Sequence, residues 1–364
     1  MKPVVILDTN ALYGRRPFTQ VNTALLLALS NSGHIRLVIP QVVLLEMSRQ
    51  WAEEVQENCA AATTAVKKLN EALEDVGFNR IALDVPGFES QVFERHAEQI
   101  FYSKRVEIPQ PPEVSVRELL SREIEVRKPF ARQGTGFRDA LVWETIREIC
   151  AGLEAPTVPV VFVTNNHKDF CDKKAGNLHP DLQQDLPVEQ QVDVVPSLHH
   201  LLRHEVIDPL VQSFRVLNQT FTRQRVEELV ERAVTDLHGV EVEEALGVYI
   251  GDGMYEVPIA TGLSDAWFDE IAHDKDTITF EMFRADDELT IRAIVDAHCT
   301  VEGFVNKGEV LGPDADHGLT VLEDWNSHVF RASAQLLMRL TFSAAFTEDA
   351  PSNIVLTVDE AEVI

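Results

Sequence analysis

The order of apolar and polar positions divides the chain into two regions of different character. Val4-Val5-Ile6-Leu7 is a short, unbroken apolar run, the pattern of a strand buried on both faces. Val158–Val163 and Val192–Val195 read as strands of the same kind, and Ile35–Ile39 reads as a further strand. Between them lie helical stretches at Val21–Leu29, at Gln41–Leu73 with Pro40 suited to its first turn, and from Arg138 through Ile149. Residues 77–132 read as mostly helical, with one extended interruption at Ile108-Pro109-Gln110-Pro111-Pro112. Strands alternating with helices predict an α/β domain with a parallel sheet covered on both faces.

A long helical segment at Ser197–Leu237 leads out of this region, and the apolar period then changes to two. Leu289, Ile291, Ala293, Val295, Ala297, Cys299 and Val301 alternate with mostly polar neighbours, as do the even positions from Phe330 to Phe346. That alternation predicts a mainly antiparallel β (α+β) domain whose sheet has one covered face. The second run is longer than an ordinary strand, so a bulge or bend is expected within it. The expected organisation is a first domain at 1–204 with a helical insertion at about 78–132, a helical linker at 205–238, and a β-rich domain at 239–364.

Charge is distributed as unevenly as the periodicity. The net charge is −27, but residues 239–364 hold 26 acids and 6 bases, while residues 1–238 hold 33 acids and 26 bases. A nucleic-acid partner is therefore compatible with the first part; the acidic second part is a poor phosphate binder and better suited to a protein partner. Four widely spaced cysteines, Cys59, Cys150, Cys171 and Cys299, disfavour disulfides and a zinc site. No apolar run of about 18 residues marks a membrane span, and the first apolar run is too short for a signal peptide. The expected location is the cytoplasm.

Candidate chemistry gathers where predicted strands end and helices begin. Asp8 directly follows the first buried strand. In open parallel sheets, ligands bind outside the carboxyl ends of strands. Glu46 lies near the start of the helix after the second strand, and Asp139 at the start of another, after Gly134-Thr135-Gly136-Phe137-Arg138. Asp169 follows the Val160–Val163 strand through Thr164-Asn165-Asn166. Carboxylates converging on one crevice need a cation, and oxygen donors of this kind suit Mg2+ or Mn2+ acting on phosphate substrates. Such a metal activates water and neutralises a leaving oxygen. Asp8-Thr9 also fits a turn and helix cap, and Asp139 also suits a helix dipole.

Taken in order, Val-Ile-Leu-Asp8-Thr9-Asn10, Glu46 on a helix, Arg138-Asp139-Ala140, and Val-Thr164-Asn165-Asn166 with Asp169-Phe170 resemble the PIN domain over about residues 1–200. The family includes ribonuclease toxins and proteins of RNA processing and decay. The chain is also similar to a bacterial PIN-like group in which Lys128-Pro129-Phe130 and Gly134-x-Gly136-x-Arg138-Asp139 precede the third acid. The resemblance implies a metal-dependent endonuclease, with RNA preferred over DNA. Asp8, Glu46, Asp139 and Asp169 would be its catalytic acids and metal ligands. The family often carries an acid where this chain has Asn166, so Asp169 and Asn166 compete for the fourth ligand position.

Arg15, Arg16, Lys128, Arg132, Arg138, Thr164 and Asn165 are the candidate substrate contacts. The bases Arg117, Arg122, Arg127, Lys128, Arg132 and Arg138 are interleaved with acids, much of which reads as i,i+4 pairing on exposed helices. His199, His200 and His204 resemble half a zinc site without the supporting frame and read as an exposed helix face. Asp286-Asp287-Glu288 reads as a hairpin turn. A second function class is a catalytically weak nucleic-acid-binding or regulatory module. A third concerns the acidic domain alone, as an interaction or self-inhibitory surface. Homo-oligomer formation is compatible with all three.

Overall fold

The computed structural model describes residues 2–12, 21–74, 80–83, 89–131, 135–172, 177–216, 221–242, 245, 262–285, 288–311, 318–347 and 354–364. Two compact units divide the chain: Met1–Leu12 with Leu29–Val206, and Tyr13–Ala28 with Ile207–Ile364. Helix α1 (Val21–Asn31) crosses that division.

The N-terminal unit is built on a four-stranded parallel sheet. Its strands β1 (Val4–Leu7), β2 (Arg36–Val38), β3 (Val160–Val163) and β4 (Asp193–Val195) lie in the order β2-β1-β3-β4. Every residue of β1 and β3 is buried, as their unbroken apolar runs predict. Each such Val, Ile or Leu contributes about 1.5–3 kcal/mol of burial, so the two central strands form a stiff base for whatever follows them. Helix α2 (Gln41–Glu74) is continuous and forms a long arm of roughly 50 Å at 1.5 Å per residue. Helix α3 (Ser90–Ser103) returns along it, with Trp51 and Phe93 rings 4.5 Å apart. Residues 106–107 then run beside β2, where the Glu107 N–H donates to Leu37 and its carbonyl accepts from Ile39. Helices α4 (Val116–Ile124) and α5 (Phe137–Ala151) precede β3, and the short helices α6 (His167–Phe170) and α7 (Pro180–Gln183) follow it.

The helical stretch expected over Ser197–Leu237 is broken into α8 (Leu198–Leu202), α9 (Asp208–Gln212) and α10 (Arg223–Asp236). Pro209 sits in the first turn of α9, where its missing N–H costs nothing but where a continuing helix would lose a bond. Thr222 caps α10 by accepting from the Arg225 N–H.

In the C-terminal unit, two 19-residue strands, β7 (Glu288–Asn306) and β9 (Val329–Thr347), pair antiparallel in unbroken register from end to end. The free edge of β7 is shared by β5 (Ser264–His273) and β6 (Thr279–Ala285). That of β9 is shared by β8 (Leu319–Asp324) and β10 (Thr357–Val363). A short helix α11 (Lys307–Leu311) follows β7. The bulge expected inside the second long run is absent from β9. Register shifts occur instead on its neighbours, at Val321/Glu323 and Val358/Glu360, and on β5 at Ser264/Trp267 and Phe268/Glu270. A strand paired along both edges has no slack for an extra residue, whereas an edge strand can kink away.

The odd positions Leu289–Val301 of β7 are buried with Met338, Leu340 and Phe342 of β9. Val226, Leu229, Val230, Ala233 and Val234 of α10 pack into the same core, so this segment is more than a connection. The opposite face is less open than a one-sided sheet predicts, since Thr290, Arg292, Thr341 and Ser343 are also buried. Residues 286–287 of the expected hairpin turn lie outside the described residues. Cys59 is half-buried; Cys150, Cys171 and Cys299 are buried, and all four are free thiols. Among the described residues no helix is long and apolar enough to cross a membrane.

Candidate functional site

Parallel pairing of β1 with β3 sets Leu7 opposite Val163, so both strands deliver their next residue to the same end of the sheet. Those residues are Asp8 and Thr164, joined by a 2.6 Å hydrogen bond from the Thr164 hydroxyl to Asp8 Oδ2. Asp8 Oδ1 accepts from the Thr9 N–H at 2.7 Å, capping a single 3-10 turn at Thr9–Ala11. The cap and the site are thus served by the two oxygens of one carboxylate. Asp8 is only 6% exposed, and burial pushes its carboxyl above the ordinary 3.8, against the lowering effects of Thr164, Thr9 and Arg138.

Asn10 ties the two strand ends together. Its Oδ1 accepts from the Asn165 N–H at 3.0 Å, and its Nδ2 reaches Thr164 Oγ1 at 3.3 Å and Asp8 Oδ2 at 3.4 Å. Thr164 Oγ1 also accepts from the Asn166 N–H at 3.0 Å. Thr164, expected to contact substrate, is fully buried, with its hydroxyl hydrogen-bonded to Asp8, Asn10 and Asn166. Asn165 is exposed.

Glu46 comes from the second turn of α2 and joins the site through Thr9, whose hydroxyl donates to Oε2 at 3.0 Å. Its other oxygen pairs with Arg138. Asp139 lies in the first turn of α5, where the helix dipole favours negative charge. Its carboxyl is nevertheless pushed up to about 7, first by burial and then by the charges of Asp8 and Asp169. The Asn166 amide, 3.4 Å from Asp139 Oδ1, and Arg138 oppose that rise. Asp139 therefore feels the negative charge of both Asp8 and Asp169. Asn166 donates to Asp139, and Asp169 pairs with Lys128.

Two cations reach this cluster. Lys128 Nζ is 3.0 Å from Asp169 Oδ1 and donates to the Lys168 carbonyl at 2.5 Å, while Arg138 meets Glu46. Arg15, Arg16 and Arg132 lie outside the described residues. Gly136 caps α5 with φ of +107° and packs so closely that a Cβ would stand 2.6 Å from the Pro129 carbonyl oxygen. The strap Lys128-Pro129-Phe130 is thereby pressed against the helix that carries Arg138 and Asp139.

Among the described residues, no three His, Cys, Asp or Glu side chains stand close enough to hold a metal ion as they are arranged. The histidine triplet forms no such group either: His199 is buried rather than exposed, and His204 lies 3.5 Å from Asp193. Arg122 departs most from the expectation of exposed i,i+4 pairing, being only 7% exposed and joined to Asp185, 63 positions away in sequence. Neither Asp185 nor Asn10 is among the site residues expected from the sequence. Asn10 had a signal in the Asp-Thr-Asn triplet; Asp185 had none.

Residues 5–170 match the family model described as PIN domain. No curated protein and no solved structure gives a match to the chain.

Proposed function

The N-terminal unit of this chain belongs to the PIN-domain family, and from that premise we propose that it is a divalent-metal-dependent endonuclease acting on RNA in preference to DNA. The observation that carries the reading is the hydrogen-bonded chain that links Asp8, Thr164, Asn166 and Asp139 beyond the carboxyl ends of β1 and β3, where burial and the negative charges of Asp8 and Asp169 push the Asp139 carboxyl up to about 7. The acids gathered around Asp139 offer oxygen donors of the hard kind that Mg2+ and Mn2+ take, and a cation among them would relieve the repulsion that Asp139 feels. Asp8, Asp139 and Asp169 would hold the ion, with Glu46 as the further carboxylate and Asn166 orienting Asp139. Their present spacing does not let three meet one ion, so binding would require side-chain movement, with rotamer changes at Asp139 and Asp169 as the proposed route.

A bound Mg2+ or Mn2+ would activate a water and neutralise charge on the leaving oxygen of a phosphodiester. The protein's own side chains do the rest. Thr164 and Thr9 donate to the two oxygens of Asp8, which fixes the carboxyl and opposes the rise that burial imposes on it. Lys128 and Arg138 bring positive charge to the same rim and serve as phosphate contacts. The six bases and 26 acids after residue 238 leave phosphate binding to the first unit. Asp8→Asn should reduce cleavage of a single-stranded RNA by at least about a thousandfold, or roughly 4 kcal/mol of barrier, while leaving the circular-dichroism spectrum unchanged. Wild-type cleavage that survives excess EDTA would sink the metal-dependent mechanism.

Asn166 favours one second reading, that of a nucleic-acid-binding or regulatory protein with weak catalysis. It donates to Asp139 where an acid would add a ligand. That reading predicts salt-sensitive RNA binding without any cleavage in Mn2+.

A further inference from the structure

The backbone of Lys128 is gripped from behind by a buried arginine. Arg122, in the last turn of α4, donates through Nε to the Lys128 carbonyl at 2.7 Å. Its Nη2 lies 2.7 Å from Asp185 Oδ2, and its Nη1 is 4.0 Å from Glu144, itself paired with Arg147 at 2.7 Å. Asp185 is fixed in turn by the indole N–H of the fully buried Trp143 at 2.9 Å and by Arg127 at 3.1 Å. On its other side, the Lys128 N–H faces Asp181 Oδ2 at 3.3 Å. Both polar groups of the Lys128 backbone are therefore spoken for, and its side chain is sent toward Asp169 and the Lys168 carbonyl.

Burying charges of this kind is expensive, and a well-packed apolar cluster of the same volume is often as stable or more so. The hydrogen bond from Arg122 Nε leads out of the network to the strap that carries a site cation. We propose that Arg122 is a positioning residue, which acts through Lys128 by fixing its ammonium beside Asp169, where it meets a phosphate oxygen of the nucleic-acid substrate. The last clause rests on the nuclease reading; the positioning itself does not. Lysine cannot replace this arginine, because a single ammonium cannot present Nε to the carbonyl and a second nitrogen to Asp185 together.

The test uses the full chain and the variants Arg122→Lys, Lys128→Met and the pair combined, each first shown to be folded at the assay temperature. In the first arm, the protein is treated briefly with an amine-modifying reagent, and Lys128 labelling is compared by mass spectrometry with that of exposed Lys67 and Lys68. Arg122→Lys should raise relative labelling of Lys128 about tenfold, the lower range for one hydrogen bond made by a charged group. Unchanged labelling overturns the proposal. In the second arm, Arg122→Lys should slow single-turnover RNA cleavage about tenfold in the wild-type background and add nothing once Lys128 is Met. Equal losses in both backgrounds would make Arg122 merely structural and also overturn it. If the wild type cleaves nothing with any metal, the nuclease reading fails, and the labelling arm alone decides the positioning of Lys128.

Discussion

Asp139→Asn separates the electrostatics of the site from its packing, because the amide keeps the shape and loses the charge. In the metal-free protein the Asp139 carboxyl titrates at about 7 rather than 3.8. Below about pH 3.8 it is protonated both folded and unfolded, and it adds no pH dependence. Between that point and pH 7 the unfolded chain releases the proton while the folded one retains it, so folded stability falls as pH rises. Across that window, at about 1.36 kcal/mol for each pH unit, the loss reaches roughly 4 kcal/mol by neutral pH. Urea unfolding in EDTA across pH 4.5–8, followed on the transition that Mg2+ shifts, reads this directly. The variant should gain steadily on the wild type as pH rises and exceed it by a few kcal/mol at pH 8. Added Mg2+ should then stabilise the wild type, most strongly above pH 7, and leave the variant almost unmoved. A difference between the two proteins that stays flat across the pH range would show that Asp139 holds no raised proton affinity in the folded state.

Two further substitutions examine the groups that shape the site. Thr164→Val removes the hydroxyl that donates to Asp8 at 2.6 Å, which raises the Asp8 carboxyl further. Mn2+ affinity measured by calorimetry should weaken by about tenfold, the lower range for a hydrogen bond to a charged group, and an unchanged affinity would dismiss Thr164 as an orienting residue. Gly136→Ala puts a Cβ into the Pro129 carbonyl at a φ that side chains rarely adopt. It should cost about 1–3 kcal/mol of stability, seen as a lower melting temperature, and a variant as stable as wild type would show that the strap does not press on α5.

Much of the frame is legible because the relevant signals are local. Four-residue apolar runs that need cover on both faces identify β1 and β3 without reference to the rest of the chain. The strict alternation from Leu289 to Val301 likewise specifies the covered face of β7. Asp8 follows from its place after a buried strand, since parallel neighbours must end on the same side. Long-range electrostatics leaves no such trace. Arg122 sits among acids at helical spacing, so its sequence looks like a solvated helix, and only tertiary burial reveals its tie to Asp185. Thr164 looks like a substrate contact for a related reason: a polar residue after a strand faces either solvent or a neighbouring carboxylate, and spacing alone does not choose. The break at Pro209 has a signal in the sequence, but the apolar period on either side of it masks the stop.

Whether Asp8 belongs to a divalent metal site in the N-terminal unit decides between the nuclease and every other reading of this chain. Anomalous diffraction from crystals of the full chain soaked in Mn2+ answers it at the atoms concerned. One or more Mn2+ peaks are expected within about 2.3 Å of Asp8 oxygens, a bonding distance for such ions, with Asp139 or Asp169 completing the set. No peak at Asp8 under saturating Mn2+, or a peak held only by other residues, would contradict the assignment of Asp8 as a metal ligand.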